Sequence, residues 1–100
     1  MSDSQPVVFI VTIARFPLGN LVATPGALEN IPNSEIQTAL NRHMVGDWGE
    51  LDPHDVRVNE NALAHGGRLL SAYASTQGVR FYIITEADRS ATTVLLPEEY

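Results

Sequence analysis

The chain has 100 residues, 44% of them apolar and 18% charged, with a net charge of −6, no cysteine and no lysine. That length holds one core, not a cofactor domain joined to a substrate domain, and the composition is that of a self-folding globular chain. Without cysteine there is no disulfide, thiolate nucleophile or zinc–thiolate site, and without lysine no Schiff base or lysine general base.

Residues 1–6 are short and polar and read as a frayed start to a single domain spanning 1–100. The run Val7–Val11 is too short to cross a bilayer and is not preceded by the Lys or Arg of a signal peptide, so a cytoplasmic protein without membrane contact is expected. Val7 to Ile13 is β-branched and aromatic, the pattern of a strand covered on both faces. Phe16-Pro17-Leu18-Gly19-Asn20 supplies a turn, after which Leu21-Val22-Ala23 is expected to return as a short paired strand.

Thr24-Pro25 is a helix start, and a short helical turn around Ala27 to Asn30 should stop before Pro32. Asn33 or Ser34 is expected to cap the next helix, with Gln37 completing a capping box and Ile36, Ala39, Leu40 and Met44 forming its apolar stripe up to Gly46. Asp52-Pro53 begins a third helix toward His65, ended by Gly66-Gly67, with Val56, Ala62 and Leu63 inward and a break expected near Asn59. The period then changes to two. Arg68–Ala74, Val79–Thr85 and Ala91–Leu96 read as an antiparallel meander because their connections are short. The expected fold is α+β: an N-terminal strand or hairpin, two to three helices, then a three-stranded antiparallel meander. The helices pack on the sheet face that carries Val79, Phe81, Ile83 and Thr85.

Charge is segregated. From Glu29 to Glu60 seven carboxylates face Arg42 and Arg57, whereas Arg68 to Leu96 carries a balance of +1. The acidic candidates for partner binding are Glu35, Asp47, Glu50, Asp52, Asp55 and Glu60, together with Trp48, the sole tryptophan, held between Gly46 and Gly49. Such a stretch suits a basic protein partner, or simply a solvated face, and works against direct nucleic-acid binding unless the chain is an enzyme. Trp48 is either an anchor of the helix corner or a stacking platform.

For chemistry the candidates are His43, Arg68, Ser71 and Arg89. His43 lies beside an apolar stripe at a helix end, where it can act as acid or base or simply cap carbonyls. Ser71 and Tyr73 share a strand face on which an anion could sit with Arg68, while Arg89 is expected to pair with Glu86 or Asp88 at a hairpin of ordinary turn residues. His43, Asp47, Asp52 and His54 mix imidazole and carboxylate without any established zinc or calcium spacing, so no metal and no cofactor are assigned. No P-loop, dinucleotide-binding glycine pattern, Gly-x-Ser-x-Gly elbow or His-Glu-x-x-His occurs.

The strings Leu21-Val22-Ala23-Thr24-Pro25-Gly26-Ala27-Leu28, Gly46-Asp47-Trp48-Gly49, Arg68-Leu69-Leu70-Ser71-Ala72-Tyr73 and Ile83 through Tyr100 resemble small plasmid-related proteins of bacterial mobile elements, often labelled type I restriction endonuclease subunit M. The resemblance runs from about Val11 to Tyr100 and implies an accessory protein of such an element. A methyltransferase subunit is excluded, because the chain has neither the length for a cofactor domain of parallel strands nor an Asn/Asp-Pro-Pro-aromatic loop. The element order is more distantly similar to barnase-like ribonucleases and messenger-RNA interferase toxins. That similarity implies His43, Arg68, Ser71, Thr85 and Arg89 as site residues, although the acidic charge runs against it. Three expectations stand: an acidic accessory protein that counteracts host restriction or CRISPR defence by protein contact, a small ribonuclease or nucleotide-processing enzyme, and an antitoxin-like partner of a basic toxin.

Overall fold

The computed structural model describes residues 13–100, so most of the strand expected over Val7 to Ile13 lies outside the described residues, and Ile13 itself is exposed and not in a strand. The chain then forms β1 (Asn20–Ala23), α1 (Pro25–Asn30), α2 (Asn33–Met44), α3 (Pro53–His65), β2 (Leu69–Ala74), β3 (Arg80–Thr85), β4 (Ala91–Leu95) and a 3₁₀ turn over Pro97–Glu99.

The helix starts follow from local chemistry. Thr24 is extended, and its hydroxyl accepts from the Ala27 amide at 3.2 Å, with Pro25 supplying a first helical residue that needs no donor. Asp52 does the same for α3, accepting from Asp55 N at 2.9 Å. The capping box expected at Asn33 or Ser34 does not form. The Pro32 carbonyl already accepts from Glu35 N and Ile36 N, which makes Asn33 and Ser34 helical and leaves Pro32 at the cap without a capping side chain. Nor does α3 break near Asn59. That residue is buried, and its amide pairs with Leu70 as a strand would, donating to Leu70 O at 2.6 Å and accepting from Leu70 N at 3.1 Å.

The meander forms: β2 pairs antiparallel with β3, in register Ser71↔Ile83, and β3 pairs antiparallel with β4, in register Ile83↔Val94. Among the described residues the sheet is nevertheless four-stranded and mixed, in the order β1-β4-β3-β2, because β1 runs parallel to β4 with Asn20 opposite Ala91 and Ala23 opposite Val94. Leu21-Val22-Ala23 is thus a strand, but one that pairs with the end of the chain across a long crossover rather than within a local hairpin. The junction depends on Gly19 at φ +66, where any Cβ would run into the Ser90 carbonyl oxygen. Gly49, at φ +75, similarly lets the chain after Trp48 lie against the Ala72 carbonyl of β2.

The side of β3 expected to face the helices does so: Phe81, Ile83 and Thr85 are buried, and Phe81 and Ile83 pack with Ile36, Ala39 and Leu40 of α2. A second cluster joins Phe16, Trp48, Ala62 and Leu69 beneath α3. On the opposite face Ile84 and Leu95 floor a cleft bounded by Arg68, Glu86, Thr93 and Tyr100, and the Tyr100 ring meets that of Tyr82 edge-on at 6.2 Å.

Asn59→Leu keeps the volume but removes both partners of Leu70. It should cost about 2 kcal/mol in urea unfolding, the usual penalty for orphaned buried backbone groups. An unchanged midpoint would show that α3 is held on the sheet by apolar packing alone.

Candidate functional site

Sequence reading centres any chemistry on His43, and the structure places it where α2 crosses the sheet, with no exposed surface. Two rings wall it in, Phe16 at 5.1 Å and Trp48 at 5.6 Å between centroids, both edge-on. Its two nitrogens meet hydroxyls from adjacent strands: Nδ1 lies 2.5 Å from Ser71 Oγ and Nε2 lies 2.9 Å from Thr85 Oγ1. The chain continues from Thr85 to Thr92 Oγ1 at 2.7 Å, and from Thr92 to the Leu18 carbonyl at 2.7 Å.

Proton directions along this chain are fixed from its far end. A carbonyl can only accept, so Thr92 donates to Leu18. Thr92 then has no second hydrogen, so Thr85 must donate to it, and His43 Nε2 must carry the proton that Thr85 accepts. Because burial keeps the ring neutral near pH 7, that is its one ring proton, so Nδ1 is bare and accepts from Ser71. The imidazole is neutral, in the Nε2–H tautomer, and among the described residues no buried side-chain polar atom lacks a partner. Burial, reinforced by the positive charge of Arg89, pushes the His43 pKa from its ordinary 6.5 down to about 4.

The other three candidates do not join it in a cleft. Ser71 is buried with His43. Arg89, in the left-handed region at φ +62, does not pair with the Glu86 or Asp88 carboxylates as expected. Its guanidinium instead gathers carbonyl oxygens, Gly67 at 2.6 Å, Glu86 at 3.0 Å and Ala62 at 3.2 Å, tying the end of α3 to the β3–β4 turn. Arg68 lies on the opposite sheet face and donates to both oxygens of Glu86 at 3.1 and 3.4 Å. Tyr73, expected to share an anion-binding face with Ser71, is buried. Its hydroxyl donates to Asp47 O at 2.6 Å, its ring lies 4.7 Å from the Arg42 guanidinium, and burial raises its pKa to about 12.

Trp48 serves as the corner anchor: 4% exposed, stacked on Phe16 and donating from Nε1 to Glu60 at 2.9 Å. No face of it is free to stack a base. Glu60 also takes both η nitrogens of Arg15, at 2.8 and 3.1 Å, and those bonds, then that of Trp48, hold its carboxyl below the ordinary value. Glu35 accepts from Thr76 N and Oγ1, Asp47 pairs with Arg42 at 2.7 Å, and Glu50 lies 3.6 Å from Arg80. Asp52 is the α3 cap, and Asp55 adjoins His54. His43 and Asp47 are thereby committed away from the mixed imidazole–carboxylate group. Asp52, His54 and Asp55 do gather within 4.8 Å on the surface, an arrangement that the start of α3 accounts for.

Sequence reasoning passes over the C-terminal clasp. Glu99 accepts from the Thr24 hydroxyl at 2.6 Å, from Leu96 N at 2.9 Å and from Gly26 N at 3.1 Å, binding the last turn to the start of α1. Thr85 is grouped with His43 only through the similarity to ribonucleases, although its place on the helix-covered strand face was also a signal, and Thr92 is passed over.

Comparison with known proteins gives no family model, no curated relative and no solved structure that matches the chain.

The low His43 pKa has a definite pH consequence. Unfolded, the ring binds a proton near 6.5, and folded it does so only near 4. The stability of the neutral, buried form is therefore complete above about pH 6.5 and is lost as pH falls toward 4. Unfolding free energy should drop by about 2 kcal/mol between pH 8 and pH 5, before most carboxylates titrate. Equal stabilities at those two pH values would contradict the buried, neutral ring.

Proposed function

We propose that the chain is a non-catalytic accessory protein of a mobile element that acts by protein contact, offering the acidic corner between α2 and α3 to a basic partner. The observation that carries the reading is the corner itself. Asp47, Glu50 and Asp52 are exposed and Asp55 half-buried over nine positions, and among the described residues the guanidinium groups that pair with them are those of Arg42 and Arg80, with His54 beside Asp55. These are surface pairs, worth little in water, so an incoming cationic surface can exchange for them at small cost. Trp48 fixes the corner from below, and Glu35 and Glu60, spent on Thr76 and on Arg15, flank it as part of the frame.

Proteins that handle nucleic acid present basic tracks, and a row of carboxylates on a rigid corner can occupy such a track in place of phosphates. Counteracting host restriction or CRISPR defence fits that chemistry and the resemblance to mobile-element proteins. The ribonuclease reading gains nothing from the geometry, because its acid–base group is sealed and Arg68 lies on the far side of the sheet.

Expression in restricting and in CRISPR-carrying bacterial hosts, scored by phage plating, tests the reading. The chain should raise plating on one of them at least about tenfold, and a Glu50→Gln/Asp55→Asn double variant should forfeit most of that gain, a loss of about 1.4 kcal/mol per tenfold of binding. The effect in vitro should weaken as salt is raised. No gain on either host, or a full gain with the double variant, contradicts the proposal.

A further inference from the structure

The sheet face turned away from the helices carries a small cleft that neither the core nor the acidic corner uses. Ile84 and Leu95 form its floor, and Arg68, Glu86, Thr93 and Tyr100 its rim, around a volume of about 220 Å³. Arg68 and Glu86 extend the β2–β3 register one step past Leu69↔Thr85, so alternation sets both on the side of Ile84. Their side chains are 57% and 38% exposed and meet at 3.1 and 3.4 Å. That contact leaves further guanidinium donors and carboxylate lone pairs unused. The rim therefore offers a positive and a negative group side by side, each with capacity for a second partner. Opposite them, Tyr100 is held in place. It is 69% exposed, yet its ring meets that of Tyr82 edge-on at 6.2 Å and its amide donates to Pro97 O at 3.2 Å, while the adjoining Glu99 is clasped by Thr24, Gly26 and Leu96. An aromatic ring fixed beside an apolar floor with much of its surface in solvent is a wall on which another ring can stack.

From this arrangement we propose that the cleft binds a free α-amino acid with an aromatic side chain. Its carboxylate lies on Arg68, its ammonium on Glu86, and its ring against Tyr100 above Ile84 and Leu95. The ammonium and carboxylate of one α-amino acid stand about 3 Å apart, so the head group can lie antiparallel to the Arg68–Glu86 contact. Each ligand charge then meets its opposite through charge-assisted hydrogen bonds.

Charge and size select this occupant over others. A lone anion would meet Glu86 and the field of a chain carrying −6, and a lone cation would meet Arg68, whereas a zwitterion adds no net charge. Pockets for drug-sized ligands run to about 300–1,000 Å³. The smaller volume here suits one ring with its head group and not a nucleotide, whose phosphates the net charge also repels. The cleft shares no residue with the acidic corner, so this site and the protein-contact reading stand or fall separately.

Titration of the full chain with L-phenylalanine, followed by NMR of the Tyr82 and Tyr100 rings and the Thr93 methyl, tests this. Those signals should shift saturably. Phenylacetate and phenethylamine, which each lack one of the two charges, should bind at least about fivefold more weakly, the scale of one lost charge-assisted hydrogen bond at a surface. Tyr100→Ala and Glu86→Gln should weaken binding by a similar factor while the rest of the spectrum stays that of the folded chain. No saturable shift overturns the proposal. So does phenylacetate binding as tightly as phenylalanine, which would make the cleft a plain apolar seat, or guanosine binding more tightly, which would make it a nucleobase seat. Full binding by Tyr100→Ala would place the ligand on another surface and overturn it too. A cleft already filled does the same, whether seen as nuclear Overhauser contacts from residues 1–12 or as shifts that grow with protein concentration.

Discussion

The structure hangs on a neutral imidazole bonded in two directions. His43 projects from α2 and joins β2 through Ser71 and β3 through Thr85, and the same line of hydroxyls runs on through Thr92 of β4 to the Leu18 carbonyl in the segment leading to β1. The three strands of the meander and the helix above them are therefore connected by one sequence of donors and acceptors that ends just before β1. A buried network of this kind is favourable only when fully satisfied, and here each hydroxyl and each ring nitrogen has a single assigned role. The helix register over the sheet is specified by it, because a slip of one residue would remove both partners of the ring.

That constraint also shapes what the surface can do. Since the imidazole of His43 and its serine are consumed inside the fold, the charged groups left for solvent are carboxylates and arginines, beside the exposed His54 and His65. Most carboxylates hold something local: Glu60 secures Arg15 and Trp48, Glu35 the β2–β3 turn, Glu99 the last turn of the chain. The corner from Asp47 to Asp55 is where exposed carboxylates outnumber their cationic partners, which is why the functional reading rests there and not on the sheet.

Much of the fold was legible because it follows from period and punctuation. The stripe Ile36, Ala39 and Leu40, the Thr24-Pro25 and Asp52-Pro53 starts, and the alternation that buries Phe81, Ile83 and Thr85 are local signals, and each is realised. What could not be read was non-local. Nothing in Leu21-Val22-Ala23 states that its partner is seventy residues further along, and nothing in Asn59 states that its amide will stand in for a neighbouring strand. The site was misjudged for the same reason. Imidazole, serine, tyrosine and arginine look alike in sequence whether they line a cleft or a core; only the pairing of β2 with β3 beneath α2 shows that His43 and Ser71 face inward while Arg68 faces the opposite side.

The central claim is that His43 is a sealed, neutral, structural group, and nitrogen-15 NMR of the imidazole tests it most directly. The account predicts a pyrrole-type Nε2 bearing the proton and a pyridine-type Nδ1, unchanged from pH 8 to pH 5. A ring that titrates near its ordinary value, or that exchanges between tautomers, would contradict it and return His43 to the list of groups able to do acid–base work.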